Sequence, residues 1–463
     1  MAKDLRTFLA YLEEHMPESL LYVDREIDPR FEASGVLSRL EREGRYPAVV
    51  FRKIKGSSFP VVSNMHADPE RLYAAMGLRG ADLRSVIVEY GRREASPIEP
   101  VLIQDGPVKE VRVSGEEVNL LSFPAFTYHE KDAGPYITLG MCVMKDPDTG
   151  IRNAGIYRLM VKDHRRLGIQ ISETSHGHYI RQKNERAGKP TEVAVVIGHH
   201  PGFYLGCLSL TGLDVDEFAV AGGILEEPLE IVRCDTVDLE VPANAEIVLE
   251  GLILPHIRED EAPFGEFGGT YSKRKKNPVV EIRAITHRRD AYYQDSFAGH
   301  ADNLVPGGLT RSSFLLKTVS VAVPTVKEVH MPRCGRCRFV CYISLKKMVE
   351  GDPKIAAMAA LGADPYLKYV IVVDEDVNVT SDEEMLHAIA TRMRAQRDMF
   401  IIPYAKGSPL DPAAYRGEGD TPMVDKVGFD ATRKPGYPDE ISVPGAESID
   451  LSKYLSCRSE TKA

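Results

Sequence analysis

The chain has no apolar run long enough to cross a bilayer, no excess of positive charge and no even set of cysteines. Each absence closes a class of function. The longest apolar stretches, such as Ala194 to Ile197 and Tyr369 to Val373, fall far short of the ~20 residues that a membrane span requires. The 58 Lys and Arg against 68 Asp and Glu leave a formal net charge of −10, which argues against a nucleic-acid partner held by broad phosphate neutralisation. Seven cysteines (142, 207, 234, 334, 337, 341 and 457) are an odd number in a long chain, the pattern of reduced thiols rather than of a disulfide framework. Met1 to Arg6 is charged from the start and has no apolar signal core. A cytoplasmic protein, bound to neither membrane nor nucleic acid, is therefore expected. Low-complexity segments and internal repeats are also missing. So are the phosphate loop G-x-x-x-x-G-K-[ST], a strand-linked G-x-G-x-x-G, H-E-x-x-H and G-x-S-x-G, which removes the usual nucleotide, zincin and hydrolase readings.

What is present is an ordinary globular composition, 43% hydrophobic and 27% charged over 463 residues. At ~150 residues per domain that length suggests two or three domains. Leu5, Phe8, Leu9 and Leu12 recur at helical spacing, and Asp68-Pro69 reads as a cap followed by a first-turn proline. With strand-like runs at 48–51 and 59–62, these make an N-terminal α/β portion, 1–108. Between 109 and 305 strand-like runs dominate (137–144, 194–198, 246–251 and 279–285), which predicts a barrel or sandwich with a few helices. From 306 to 463 helix and strand signals alternate again. Asp352-Pro353 opens one helix there, and Ser381-x-x-Glu384 predicts a capping box ahead of Leu386, Ile389, Ala390 and Met393.

Three constellations could carry chemistry. Glu261 and Glu266 lie five apart in E-A-P-F-G-E-F-G-G-T-Y, a segment that proline and glycines keep from being helical. Paired carboxylates near a cation suit acid/base work, although Arg258 to Glu261 is also a charge run that could simply be solvated. Asn153, His176 and Glu217 offer oxygen and nitrogen donors for a borderline divalent cation, each weak alone. His199-His200 before Pro201 reads as a turn rather than a second metal site. Cys334, Cys337 and Cys341, near His330, form a C-x2-C plus one, which raises a zinc knuckle. Residues 338–345 read as a strand that would instead point Cys341 into the core.

Taken together, N-x-G-I-Y-R at 153–158, S-H at 175–176, D-E-F-A-V-A-G at 216–222 and L-E-V-P-A-N-A-E-I-V-L-E-G at 239–251 resemble the UbiD family of reversible decarboxylases. The resemblance continues through E-A-P-F-G-E at 261–266, V-D-E-D-V-N at 373–378 and G-F-D-A-T at 428–432, so it spans essentially the whole chain. It implies a mixed α+β fold: a central split β-barrel, related to flavin reductases, that holds prenylated FMN, with the N-terminal α/β portion packed on it and a C-terminal α/β oligomerisation domain. It also implies that Asn153, His176 and Glu217 bind a divalent metal, usually Mn2+, bridging to the flavin phosphate, with K+ close by. Ile156, Tyr157 and Ser175 become cofactor contacts, and Lys368 a phosphate contact. The family's Glu-Arg-Glu network maps onto Glu261, Arg158 and Glu266. Arg158 would hold the substrate carboxylate over the cofactor and Glu266 would deliver the proton. No family counterpart is assigned to Cys334, Cys337 and Cys341.

The resemblance leaves the substrate open. His300, in Q-D-S-F-A-G-H-A-D-N at 294–303, stands where relatives bring a loop to the substrate pocket. An imidazole there favours a polar aromatic or heteroaromatic acid of furan, pyrrole or hydroxybenzoate type. The bland alternative is a histidine that caps a helix. Arg311 or Arg333 could read a second carboxylate by a charge pair. The implied partners are a small carboxylic acid and CO2, a flavin prenyltransferase as cofactor supplier, and further copies of the chain in a homodimer or homohexamer. An α,β-unsaturated or polyprenyl-hydroxybenzoate acid stays open as substrate. Two other classes also stay open: a metal-dependent hydrolase using Glu261 and Glu266 around a cation at His176, and a non-catalytic flavin-binding subunit.

Overall fold

Largely apolar strands need cover on both faces, and the runs at 137–144 and 193–197 are buried at every position. In the computed structural model, which describes residues 3–416, 421–441 and 443–454, six antiparallel strands close into a barrel. Their order is Ile247–Glu261, Thr191–Ile197, Tyr136–Lys145, Arg152–Val161, Arg166–Ile169 and Lys275–His287, and the last pairs back onto the first. Alternation divides each strand between two cores. Val195, Ile197, Leu249 and Leu159 join one apolar cluster with Phe51 and Leu37 of the N-terminal portion. Ala194, Val196 and Val248 face the other way, against Phe203, Phe218 and Leu225 of two short helices. One of these, Glu217–Leu225, is buried along its whole length, as expected of a helix that is apolar all round.

The N-terminal portion carries the expected helix, Leu5–His15, which buries all four predicted residues. Asp68 caps the Pro69–Ala75 helix by accepting from the Glu70 N–H. Its sheet orders strands Leu20–Val23, Ala48–Phe51 and Val61–Ser63, and then takes Tyr293–Gln294 from beyond the barrel. The chain then enters the long Ala301–Ala322 helix. That helix packs, with Asp352–Ala363, on one face of a C-terminal mixed sheet ordered Val326–His330, Val340–Leu345, Tyr369–Asp374, Pro422–Asp430 and Met399–Lys406.

Two local expectations change. The carboxylate of Glu384 turns to the Asn378 N–H rather than to Ser381, so only the Ser381 half of the capping box forms. The helix buries Met385, Ala388 and Arg392 and leaves Leu386 exposed. Three acids account for the burial of Arg392: Asp374 at the end of the Tyr369–Asp374 strand, Asp376 just after it and Glu440 from the C-terminal segment all pair with its guanidinium. Glu261, expected in a loop, is the last residue of its strand, and only Glu266 lies in the loop proper.

Candidate active site

Arg158 stands on the Arg152–Val161 strand, with its guanidinium between the two predicted carboxylates. Nε and Nη2 each donate to Glu261 at 3.0 Å, a two-point grip, while Nη1 donates to Glu266. Glu261 and Glu266 are buried. Burial works against the charge on Arg158, but Glu266 and then Glu261 outweigh it and hold its pKa well above the usual arginine value. The guanidinium also lies 4.8 Å over the Phe264 ring. The carboxylate pair meets there because Glu261 ends its strand and Ala262, at φ 77°, turns the chain back into the cleft. Gly265 lets the loop close on His129, since a Cβ at that position would lie 2.3 Å from the His129 Nδ1.

Two residues outside the sequence reading complete this cluster. The Asn277 Nδ2 donates at 2.7 Å to Glu261 and at 2.8 Å to the Gln170 side chain. Gln170 in turn gives its backbone N–H to the Arg158 carbonyl. A lone asparagine after the basic run Lys273 to Lys276 carries no signal of its own. Only its position on the strand beside Glu261 reveals it.

The second cluster lies at the start of the same strand. The Asn153 Nδ2 donates to Glu217 at 2.8 Å, and the His176 Nδ1 stands 3.5 Å from both groups. The Ala154 N–H gives Glu217 a further bond at 3.0 Å. His176 opens the His176–Arg186 helix behind its cap Ser175, and Glu217 opens the Glu217–Leu225 helix behind Asp216. Capping therefore aims each first-turn side chain. The Oδ1 of Asn153 is buried and has no hydrogen-bond partner. A bare oxygen beside a carboxylate and an imidazole fits a divalent cation of borderline softness. Among the described residues no group of three or more His, Cys, Asp or Glu could hold a metal, and here Asn153 supplies the third donor. Five positions along the strand separate Asn153 from Arg158, a rise of roughly 16 Å.

Tyr157 is buried beside Ser175 and Gly177, and burial pushes its phenol up to about 12. Ile156 packs against the outer barrel core. The other predicted residues are engaged elsewhere. Lys368 pairs with Asp411 at 2.9 Å and lies over the Phe339 ring. Arg311 pairs with Asp364 and stacks on Tyr366, while Arg333 stacks 4.3 Å over Tyr46. His300 occupies the N-cap position of the Ala301–Ala322 helix without a side-chain capping bond. Its ring lies flat on Phe297, with centroids 3.7 Å apart, and its Nδ1 is 2.7 Å from Glu41. Gly299 joins it to the loop that carries Glu266, since a Cβ there would lie 2.9 Å from the Glu266 carbonyl.

His199 and His200 are buried, and His200 caps the short Pro201–Cys207 helix. Burial holds each ring neutral, with a pKa near 3. Cys341 points into the C-terminal core from its strand, and Cys337 is buried. Cys334 is exposed and contacts Tyr342 and Asp382. Cys457 lies outside the described residues.

Three family descriptions match successive parts of the chain, all of 3-octaprenyl-4-hydroxybenzoate carboxy-lyase. They are its N-terminal domain at 12–90, its Rift-related domain at 101–301 and its C-terminal domain at 305–431. The chain is 37% identical over 428 residues to anhydromevalonate phosphate decarboxylase of Methanothermobacter thermautotrophicus, covering 92% of this chain and 96% of that protein. Among solved structures it resembles the UbiD-class enzyme HmfF of Pelotomaculum thermopropionicum in complex with FMN, at 41% identity and a TM-score of 0.90 over 98% of this chain and 100% of that one. An evolved dimeric form of HmfF in complex with prFMN superposes with a TM-score of 0.88. Vanillic acid decarboxylase of Sedimentibacter hydroxybenzoicus matches at 31% identity and a TM-score of 0.85, with 97% of each chain covered.

Proposed function

The chain belongs to the UbiD family of carboxy-lyases, and from that premise we propose that it decarboxylates an aromatic or heteroaromatic acid with prenylated FMN. The observation that carries this reading is the Arg158 guanidinium between Glu261 and Glu266. Asn153, His176 and Glu217 would hold a divalent ion such as Mn2+ against the cofactor phosphate, with K+ nearby, because a phosphate dianion among carboxylates needs a cation between them. Ile156, Tyr157 and Ser175 would line the cofactor, and Lys368, released from Asp411, would reach its phosphate. The cofactor, when bound, supplies the electron sink that loss of CO2 requires.

The remaining work falls to this chain's own groups. Arg158 orients the substrate carboxylate by a charge-assisted pair. Glu261 and Asn277 fix the plane of the guanidinium. Glu266 delivers a proton to the carbon that has lost its carboxylate, and its burial keeps bulk water from competing. A hydrolase built on Glu261, Glu266 and His176 finds no support, since the carboxylates gather on Arg158 while His176 joins the other cluster. A mere flavin-binding subunit would have no use for a positioned proton donor. His300 would read a polar substituent of furan, pyrrole or hydroxybenzoate acids, with Arg311 or Arg333 serving a second carboxylate after rearrangement. A second reading, a phosphorylated non-aromatic acid, is favoured by the 37% identity to anhydromevalonate phosphate decarboxylase.

The test compares protein made with and without a flavin prenyltransferase on aromatic, heteroaromatic, α,β-unsaturated and phosphorylated acids. CO2 release is expected only with the prenylated cofactor. Equal turnover by the two preparations would overturn the reading. We further propose that the C-terminal portion assembles the chain into a homodimer or homohexamer.

A further inference from the structure

His300 does not stand alone on its loop. Its Nδ1 meets the Glu41 carboxylate at 2.7 Å, across 259 residues of sequence, and Glu41 comes from the Glu32–Arg42 helix of the N-terminal portion. The Ala301 N–H, the first of the Ala301–Ala322 helix, also favours the charged form of the Glu41 carboxyl. One carboxylate therefore ties the N-terminal helix, the His300 ring and the start of the C-terminal portion together. Other charged or titratable groups around the pair are Arg333 and Arg336 from the 333–338 turn, Glu130 on the wall of the same cavity, and His129, whose ring lies 5.9 Å from that of His300. Arg336 spends its donors on the carbonyls of Phe267 and Gly299. Burial pushes the Glu41 carboxyl up, but the His300 imidazole, the Ala301 N–H and Arg333 outweigh it and leave it below its usual value.

Beside this pair lies a cavity of about 330 Å³, walled by Phe31, Ser34 and Ser38 on one side and by His129, Phe297 and His300 on the other. Gly265 and Gly299 place its histidine wall directly against the loop that carries Glu266. We propose that Glu41 is a positioning residue: by taking the Nδ1–H of His300 it fixes the ring's tautomer and orientation, so that Nε2 reads a polar group on the distal side of the substrate ring, in this cavity. A carboxylate that orients a histidine in this way decides which nitrogen faces the ligand. Phe297 adds the second constraint, since a ring stacked at 3.7 Å cannot tilt freely. The inference rests on the reading of His300 as a substrate residue.

The experiment measures kcat/KM of the reconstituted holoenzyme for matched acids: furan-2-carboxylate against furan-2,5-dicarboxylate, and 4-hydroxybenzoate against 3,4-dihydroxybenzoate. The readout is the ratio within the better-used pair, for the parent and for His300→Asn, Glu41→Gln and Glu41→Asp. The expected result is that Glu41→Gln reduces the preference for the more polar acid about tenfold, chiefly through KM. Glu41→Asp should fall between it and the parent, and the Glu41→Gln/His300→Asn double variant should be no worse than His300→Asn. If His300→Asn keeps the parental ratio, the reading of His300 itself fails and this inference falls with it. If His300→Asn loses the ratio while Glu41→Gln and Glu41→Asp keep it, the reading of His300 stands and Glu41 only ties helices together. Equal losses on both acids with a lowered melting temperature would likewise reduce Glu41 to a structural tie.

Discussion

The two clusters at the two ends of the Arg152–Val161 strand differ in how well their charges are answered. At the Arg158 end, four guanidinium and amide bonds meet two carboxylates, a fifth joins Asn277 to Gln170, and the cluster is complete within the chain. At the Asn153 end, an imidazole and an amide face one carboxylate, and a buried oxygen has no partner. A self-satisfied cluster can be preorganised before any ligand arrives. An under-satisfied one holds its shape best when something positive is added. On the proposed function the difference would divide the labour, with chemistry at one end and anchoring at the other.

The largest expected effect tests the complete end. Glu266→Gln keeps shape and hydrogen bonds but cannot give up a proton, so decarboxylation should fall by ~10²-fold or more while the cofactor still binds. A steady-state assay beside a flavin absorbance spectrum measures the two properties separately. A variant retaining more than a tenth of the parental rate would move the proton donor elsewhere. Arg158→Ala should be equally inactive.

At the incomplete end the loss should appear in binding. His176→Ala and Glu217→Ala are each expected to retain less than about a tenth of the parental cofactor, because the cation they would hold joins protein to phosphate. Elemental analysis of the parent should find a divalent ion near one per chain, and dialysis against a chelator should remove ion and flavin together. Full flavin retention in the two variants would show that the bare Asn153 oxygen has another purpose.

Asn277→Ala sharpens the comparison by thinning the complete cluster without touching a charge. Removing a buried bond to a carboxylate costs ~1.5–3 kcal/mol. The expected result is a fall in kcat of about tenfold, with cofactor content unchanged.

How much of this was legible depended on the range of the interaction. Leu5, Phe8, Leu9 and Leu12 announce their helix because its period is written in adjacent turns, and all four are buried. The run Ala194 to Ile197 announces a strand covered on both faces. Closure of the barrel is a matter of register between Ile247–Glu261 and Lys275–His287, with shifts at Gly251 and Arg258, and no local pattern encodes it. The Asp382–Arg392 helix shows the same limit, since the acids that pair with its buried Arg392 reach it from the end of another strand and from Glu440. Arg158, Glu261, Glu266, Asn153, His176 and Glu217 were readable because the family resemblance supplied long-range pairing that spacing lacks. Asn277, Gln170 and Glu41, which carry no motif, were not.

The smallest effect separates the histidine of the incomplete cluster from those that only resemble one. His199 is buried, packs at a tilt against Phe203 with ring centroids 4.7 Å apart and has no hydrogen-bond partner on either nitrogen, whereas His176 faces Glu217. Burial lowers the His199 pKa from 6.5 to about 3. The unfolded chain therefore takes up a proton through pH 6.5 that the folded chain refuses until about pH 3. Stability present above pH 6.5 is lost as pH falls through that window, at up to ~1.4 kcal/mol per pH unit. Asp4, which favours the charged ring, and Arg288, which opposes it, are the charges facing His199. His199→Leu removes the titration and suits the apolar wall, so its melting temperature should fall less steeply than the parent's between pH 7 and pH 5, with metal and flavin content unaltered. A parallel pair of melting curves over that range would assign the acid sensitivity to other groups. Loss of metal in the variant would make His199 part of the anchoring end after all.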